Sequence, residues 1–344
     1  MLVVADFWKN QGAHPMKKVL ILTGPAGDAQ GWGNLAVTRQ LCDTLNTADK
    51  AAEIVYVENK KTFLDAVATK SYDIIWSALY HVSTRADIVG LSEDDGLWIA
   101  DSLDSKDIPY IGPDALTMKQ LIQKNLTHEI LKRNHVCVPY FYTVDSGDKV
   151  PDSRYPVIVK PSCESRSVGI SDDSVANTPD DLEKAIKYIH SEFEQPALIE
   201  EYLPGEEYTV LMFSNGENQE YLPGVVKVDP SHYGKYPILR SDLRGVGLTK
   251  IHRPETRKEE SIELARQAVA ALNCLDHVRV DMRVAADGNL KIIEVNGIPG
   301  LKPLKSWSPQ IYSLYHASPE GVMEEYRQLV HIIVDSGLSR YGLV

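Results

Sequence analysis

Arg279-Val280-Asp281, then Ile292-Ile293-Glu294-Val295-Asn296 after an Asp287-Gly288 turn, is the stretch whose reading decides the fold. Each half alternates polar and apolar residues as a half-buried strand does, and Asp-Gly is a strong hairpin signal. Side chains two apart on a strand share a face, so Arg279 and Asp281 point together, as do Glu294 and Asn296. The hairpin brings two carboxylates, a carboxamide and a guanidinium onto one patch. Hard oxygen ligands of this kind suit Mg²⁺, which prefers one or two carboxylates together with phosphate oxygens. An arginine beside them stabilises charge on a transferring phosphoryl group. Either strand alone reads equally well as a solvated face with a surface ion pair. The two in register, ending in Asn296-Gly297-Ile298-Pro299-Gly300, favour the metal reading.

Upstream, Val157-Ile158-Val159-Lys160-Pro161 ends an apolar strand in a lysine, for which a phosphate is the natural partner. The small polar run Ser162-Cys163-Glu164-Ser165-Arg166-Ser167-Val168-Gly169 follows, and its N–H groups form a candidate phosphate nest. GxxxxGK[ST] is absent. Taken alone, Lys160 reads as a strand-end surface residue. Glu200 and Glu207 bracket Tyr202-Leu203-Pro204-Gly205, a linker able to offer backbone groups to adenine and carboxylates to its amino group and the ribose. An ordinary acidic hairpin is the plainer reading of that segment.

Before these motifs the chain alternates strand and helix signals: Val19 to Thr23, a Gly24 to Gly33 loop, Leu35 to Leu45, Glu53 to Val57, Lys60 to Ala68 and Tyr72 to Ser77. Such alternation predicts a parallel sheet covered on both faces. The loop lacks the spacing of a dinucleotide site. A long helix is expected over Met118 to Arg133, further helices over Pro179 to Ser191 and Arg257 to Leu272, and strands over Ala197 to Glu201, Tyr208 to Phe213 and Pro223 to Val228. Asp229 to Arg253 reads as a long polar loop, and a loop of that length is usually functional or disordered.

The 344 residues carry a net charge of -12, which argues against nonspecific affinity for nucleic acid or anionic membranes. Cys42, Cys137, Cys163 and Cys274 form no CxxC pair and read as reduced thiols. No apolar run approaches the roughly 18 residues of a membrane helix. Met1 to Pro15 lacks a long apolar core and is not a secretory signal, so a cytoplasmic location is expected.

On these motifs the chain resembles the ATP-grasp superfamily, and within it the D-alanine–D-alanine ligase family. The likeness runs from Val19 and is strongest from Tyr110 onward. It implies an α/β protein: an ATP-grasp fold with an N-terminal parallel α/β (pre-ATP-grasp) domain. The expected organisation is a flexible extension (1–15), an α/β substrate domain (16–113), a central ATP-grasp subdomain (114–202) and a C-terminal subdomain (203–344) with the metal site and a mobile loop (229–253). The resemblance places Lys124 and Lys160 on ATP phosphates, with Glu164 and Ser167 in the phosphate loop. It puts Glu200, Glu201, Tyr202 and Leu203 around adenine, Glu207 on the ribose, and Lys235 with Tyr236 on a lid over ATP. Arg279 matches the catalytic arginine, Asp281, Glu294 and Asn296 the magnesium ligands, and Gly300 an oxyanion-binding N–H. ATP and Mg²⁺ are implied as cofactors, with two ions expected and Mn²⁺ as a substitute.

Two departures stand out. The family's Glu-Gly-Ser-Ser reads Glu164-Ser165-Arg166-Ser167 here, and its N-terminal glutamate has no secure counterpart, Asp28 being the nearest carboxylate. After Gly300 the chain runs Leu301-Lys302-Pro303-Leu304-Lys305-Ser306-Trp307, where the family binds its second substrate's carboxylate. Arg166, Lys305 and Ser306 are therefore substrate candidates. The resemblance implies a ligase joining two amino acids through an acyl phosphate, with no nucleic-acid or membrane partner; a homodimer is compatible with it. Cell-wall D-alanine–D-alanine ligation and, in another class, a nucleotide-binding regulator without turnover are the alternatives.

Overall fold

The computed structural model describes residues 15–90, 97–214, 218–244 and 247–343, so the expected leader lies outside the described residues up to position 14. Among them the strands form three sheets. The first is parallel, in the order β2-β1-β3-β4, from β1 (Lys17–Thr23), β2 (Lys50–Tyr56), β3 (Ile74–Ser77) and β4 (Tyr110–Ile111). Its connections hold α1 (Gly27–Gln30), α2 (Leu35–Leu45), α3 (Lys60–Ala68) and α4 (Ile99–Asp104). Val19, Leu20, Ile21 and Leu22 are all buried, the continuous apolar run of a strand covered on both faces. Asn34 starts α2 by accepting hydrogen bonds from Ala36 and Val37 N–H (3.1 and 3.4 Å), which satisfies donors the helix cannot.

Sequence periodicity predicts one helix over 118–133; the chain instead forms α5 (Ala115–Ile122) and α6 (Lys124–Arg133). Gln123 takes an extended conformation between them (φ −96°, ψ 95°), and Lys124 N–H donates to Ser162 O at 3.1 Å. A tertiary bond to the phosphate loop thus replaces the helical one and sets Lys124 at a helix start. Leu121, Leu131 and Val136 share a core with the third sheet, so this pair packs on the C-terminal layer.

The second sheet is antiparallel, β5-β8-β6-β7, from β5 (Phe141–Val144), β6 (Val157–Pro161), β7 (Val175–Ala176) and β8 (Ala197–Glu201). It is covered by α7 (Pro179–Phe193). Thr178 and Asp181 form a capping box at its start, and Leu182, Ala185, Ile186, Ile189 and Phe193 make its buried stripe.

The third sheet runs β11-β10-β9-β12-β13, from β9 (Glu207–Ser214), β10 (Gln219–Lys227), β11 (Lys250–His252), β12 (His277–Val284) and β13 (Leu290–Asn296). The helix α8 (Lys258–Ala271) packs against it through Leu264, Ala265, Ala268 and Val269. Two helices, α9 (Trp307–Tyr315) and α10 (Val322–Arg340), close the chain. Leu329, Val330, Ile333 and Val334 of α10 return to the core of the first sheet. Among the described residues no helix is long and apolar enough to cross a membrane.

Asp276, just before β12, ties these layers together. Its Oδ2 accepts from Gly112 N–H and Arg340 Nη2 (both 2.8 Å) and its Oδ1 from Ser336 Oγ (2.9 Å). Asp276→Ala leaves a largely buried guanidinium without its carboxylate and is expected to cost about 3 kcal/mol in chemical denaturation. Lys61→Ala, which breaks the exposed Lys61–Asp65 pair, is expected to cost less than about 0.5 kcal/mol. Equal costs would show that Asp276 is not a structural clamp.

Candidate active site

The β12–β13 register sets Arg279 opposite Asn296 and Asp281 opposite Glu294. The register then shifts, so that Met282 faces Ile292 and Ile293 is left unpaired at the wall of a cleft. Arg279 grips Asp281 as a fork, Nε to Oδ1 at 2.8 Å and Nη2 to Oδ2 at 2.7 Å. Thr209 Oγ1 donates to the same carboxylate at 2.7 Å, and Asn296 Nδ2 at 3.1 Å. Spending its Nδ2 there leaves Asn296 Oδ1 as the amide atom for a cation. Glu294 pairs with Lys124 at 3.1 Å. Burial works to raise the Glu294 carboxyl, but Lys124, Arg244 and Lys160 outweigh it and hold the group below its usual range. Two carboxylates and an amide oxygen thus converge, hard oxygens of the type that suits Mg²⁺, with both Asp281 oxygens engaged here by Arg279, Thr209 and Asn296.

The facing wall comes from the second sheet. Lys160 at the end of β6 pairs with Glu200 on β8 at 2.6 Å, and His128 of α6 meets the other Glu200 oxygen at 2.9 Å. Burial pushes this carboxyl up, yet Lys160 and His128 hold it at about 2. Glu207, Tyr202 and Leu203 line the same cleft. Glu207 is buried with no hydrogen-bond partner for Oε1 among the described residues, and burial raises its carboxyl above the usual range. An orphaned buried acceptor facing a cleft fits a ligand hydroxyl. Glu201 lines the cleft too, but its carboxylate is held by Lys291 at 2.7 Å.

Several candidates stand differently from the sequence reading. The Glu164 carboxylate accepts from Val89 and Gly90 N–H (2.8 and 2.9 Å) and from Gln195, so it pins the loop to the first domain. Within that loop Ser162, Cys163 and Val168 spend their N–H groups on Pro196 O, Gln195 Oε1 and Ser165 O, which narrows the expected nest. Arg166 and Ser167 both sit in the left-handed region (φ 55° and 59°), a strained tip. Ser167 lies on the cleft.

The segment 229–253 is not structureless. Two short 3₁₀ turns and β11 lie in it, and Ile238, Leu239 and Leu243 are buried. Arg283 donates to Pro237 O at 2.8 Å and to Gly205 O at 3.0 Å, which staples the segment to the cleft. Lys235 is not brought together with the other candidates, whereas Tyr236 packs edge-on against Tyr202 with ring centroids 5.6 Å apart. Their N–H groups dock on Asp172 (2.7 and 3.2 Å), Tyr236 Oη accepts from Asn177, and Lys235 borders a separate hollow beside α7.

A second pocket adjoins the first and holds Arg279, Asn296, Gly300, Lys302, Lys305 and Ser306, with Trp32, Tyr80 and Trp307. Tyr80 Oη accepts from Gly297 and Ile298 N–H (both 3.1 Å), joining the segment after β3 to the backbone that follows β13. Ser306 Oγ accepts from Lys302 N–H at 2.9 Å, and a Cβ on Gly300 would stand 2.8 Å from that oxygen. Arg166 does not present a free charge here: it pairs with Asp28 Oδ2 at 2.9 Å and donates to Asp28 O at 2.8 Å. Sequence reasoning missed His128, Tyr80, Arg244 and Arg283. His128, three residues before Leu131 on the α6 face that carries Lys124 and Thr127, left a periodic signal; the others left none.

Residues 146–335, more than half of the chain, match the family model described as the D-ala D-ala ligase C-terminus. D-alanine–D-alanine ligase B of Clostridium perfringens (strain 13 / Type A) is 28% identical over 248 residues, 69% of this chain and 75% of that protein. D-alanine–D-alanine ligase of Thermotoga maritima is 26% identical, covering 80% and 82%. The fold is shared with D-alanine–D-alanine ligase of Bacillus anthracis complexed with ATP (TM-score 0.69, 19% identity, 94% of this chain and 97% of that one). It is shared also with the VanG D-Ala:D-Ser ligase of Enterococcus faecalis (TM-score 0.67, 16% identity, 94% and 99%). With the family model spanning the hairpin, the phosphate loop and the linker between Glu200 and Glu207, this chain belongs to the D-alanine–D-alanine ligase family of ATP-grasp enzymes.

Proposed function

We propose that this ATP-dependent ligase works across the two adjoining pockets, phosphorylating an amino acid's carboxylate in one step and forming the peptide bond in the next. The observation that carries the reading is the buried convergence of Lys124 and Lys160 with Glu294, beside Asp281 and Asn296 in register on β12 and β13. Adenine would lie along Glu201 to Leu203, with Glu200 beneath it and Glu207 on the ribose. Lys124 and Lys160 would exchange their carboxylate partners for phosphate oxygens. Asp281, Glu294 and Asn296 Oδ1 would hold Mg²⁺, two ions with Mn²⁺ as a substitute, supplying neutralisation of phosphate charge.

In the first step a carboxylate oxygen forms a bond to the γ-phosphorus of ATP while the bond to the β,γ-bridging oxygen breaks and ADP leaves. In the second, an amine attacks the acyl carbon, the C–N bond forms, and the C–O bond to phosphate breaks as the amine's proton passes to the departing phosphate. Arg279 and the Gly300 N–H would take the charge that develops on the acyl oxygen. Positioning and electrostatics supply most of the rate, as is general for phosphoryl transfer. Closure of 229–253 keeps water from the acyl phosphate.

Glu294→Gln keeps shape and a hydrogen-bonding oxygen for Lys124 but removes the charge. Turnover in a phosphate-release assay is expected to fall by about 10² or more. The ligand-free melting temperature should stay near the parent's, with less stabilisation by Mg-ATP. Near-parental ligation would remove Glu294 from the metal site.

The 229–253 segment must open for nucleotide to enter. Limited proteolysis is expected to cut within it in the free enzyme and to be suppressed by Mg-ATP with an acyl-phosphate mimic. Equal cleavage with and without ligands would count against a lid.

Because Arg166 pairs with Asp28 Oδ2, part of the charge that carboxylate could offer a substrate's ammonium is already neutralised. In a phosphate-release screen over D- and L-amino acids, singly and in pairs, D-alanine is expected to be a poor substrate beside those with an extra carboxylate, which Lys302 and Lys305 would meet. Arg166→Ser should raise kcat/KM for D-alanine several-fold. If D-alanine is the best of all and Arg166→Ser leaves its kinetics unchanged, the altered-pocket reading fails.

A further inference from the structure

Among the described residues, Arg244 is the one side chain that lines both the nucleotide cleft and the substrate pocket. It is carried on the 229–253 segment, next to the buried anchor Leu243. Its Nε donates to Ser167 Oγ at the tip of the phosphate loop at 2.8 Å. Its guanidinium carbon lies 4.7 Å from the centre of the Trp307 ring, and that of Arg279 lies 4.8 Å from the same ring. Trp307 is itself fixed, its indole N–H donating to Thr249 Oγ1 at 3.2 Å.

Charge pairing separates Arg244 from the four cations that flank it along the junction. Lys124 holds Glu294, Lys160 holds Glu200, Arg279 holds Asp281 and Arg166 holds Asp28. Arg244 forms no ion pair with a described carboxylate, and no described group accepts from its two terminal nitrogens. One edge of the guanidinium is used to orient it and the other is left over. A planar fork with two unspent N–H₂ groups is matched to the oxygens of a phosphate. Of the segment's other cations, Lys235 borders a different hollow, Arg240 pairs with Asp242 and Arg253 donates to Leu314 O.

We infer that Arg244 is the lid-borne cation that contacts the γ-phosphoryl group as it passes from the nucleotide cleft to the substrate carboxylate. The inference rests on the ligase reading above and adds a catalytic residue to it. Ser167 and Trp307 hold the guanidinium at the junction; Arg279, neutralised by Asp281, can share the indole without strong repulsion. Because the charge rides on the closing segment, the junction is complete only when the lid is down, which ties phosphoryl transfer to exclusion of water.

Isothermal titration of Mg-ADP and of the non-hydrolysable Mg-AMP-PNP into parent, Arg244→Ala and Arg244→Lys tests this. The alanine variant is expected to bind Mg-ADP within about twofold of parent and Mg-AMP-PNP about tenfold or more weakly, since a hydrogen bond to a charged group is lost. Arg244→Lys should recover part of that contrast. A role confined to bracing the lid through Ser167 and Trp307 would weaken both nucleotides alike; that result, or an unchanged contrast in the alanine variant, overturns the inference. A parent that binds neither nucleotide would sink the ligase reading along with it.

Discussion

The buried fork between Arg279 and Asp281 is the interaction on which the rest of the cleft depends. A guanidinium taken out of water needs a counter-charge with matched geometry, and Asp281 supplies it from two positions along the same strand. The pair is then completed from both neighbouring strands, by Thr209 on β9 and Asn296 on β13. A one-residue slip of either strand would turn its half of this set to the other face of the sheet, so the charge network and the strand register specify each other. Glu294 follows from the same register and reaches Lys124 across the cleft.

The cleft stores its charges in pairs. Lys124 and Lys160 each hold a carboxylate, which satisfies the buried ions. Glu200 differs, since His128 keeps one of its oxygens engaged whatever Lys160 does.

The phosphate loop is also the brace between nucleotide and substrate pockets. Glu164 takes the backbone of Val89 and Gly90, Ser165 donates to Ala29 O, and Arg166 binds Asp28, so three consecutive side chains attach it to the first domain. Tyr80 makes a fourth link, to the backbone after the β12–β13 hairpin. The side chains that depart from the family pattern, Arg166 and Asp28, belong to this brace as much as to the pocket.

Much of this was legible in the sequence for a physical reason. Strand alternation fixes which side chains share a face, and a two-residue turn fixes which strands meet, so Arg279, Asp281, Glu294 and Asn296 converge through local rules alone. Lys160 at the end of an apolar strand and the parallel first sheet followed from the same patterning. What only the tertiary structure decided lies where long-range bonds override local preference. Gln123 breaks a helix that periodicity would continue, because Lys124 N–H finds Ser162 O instead of a helical carbonyl. Arg166 meets Asp28 across 138 positions of chain, and Arg244 reaches Ser167 across 77, pairings that no local period encodes. The segment 229–253 has no period to read, so its fold over the cleft is set by where Leu243, Ile238 and Leu239 find apolar neighbours; that same docking leaves Lys235 outside and puts Arg244 between the two pockets.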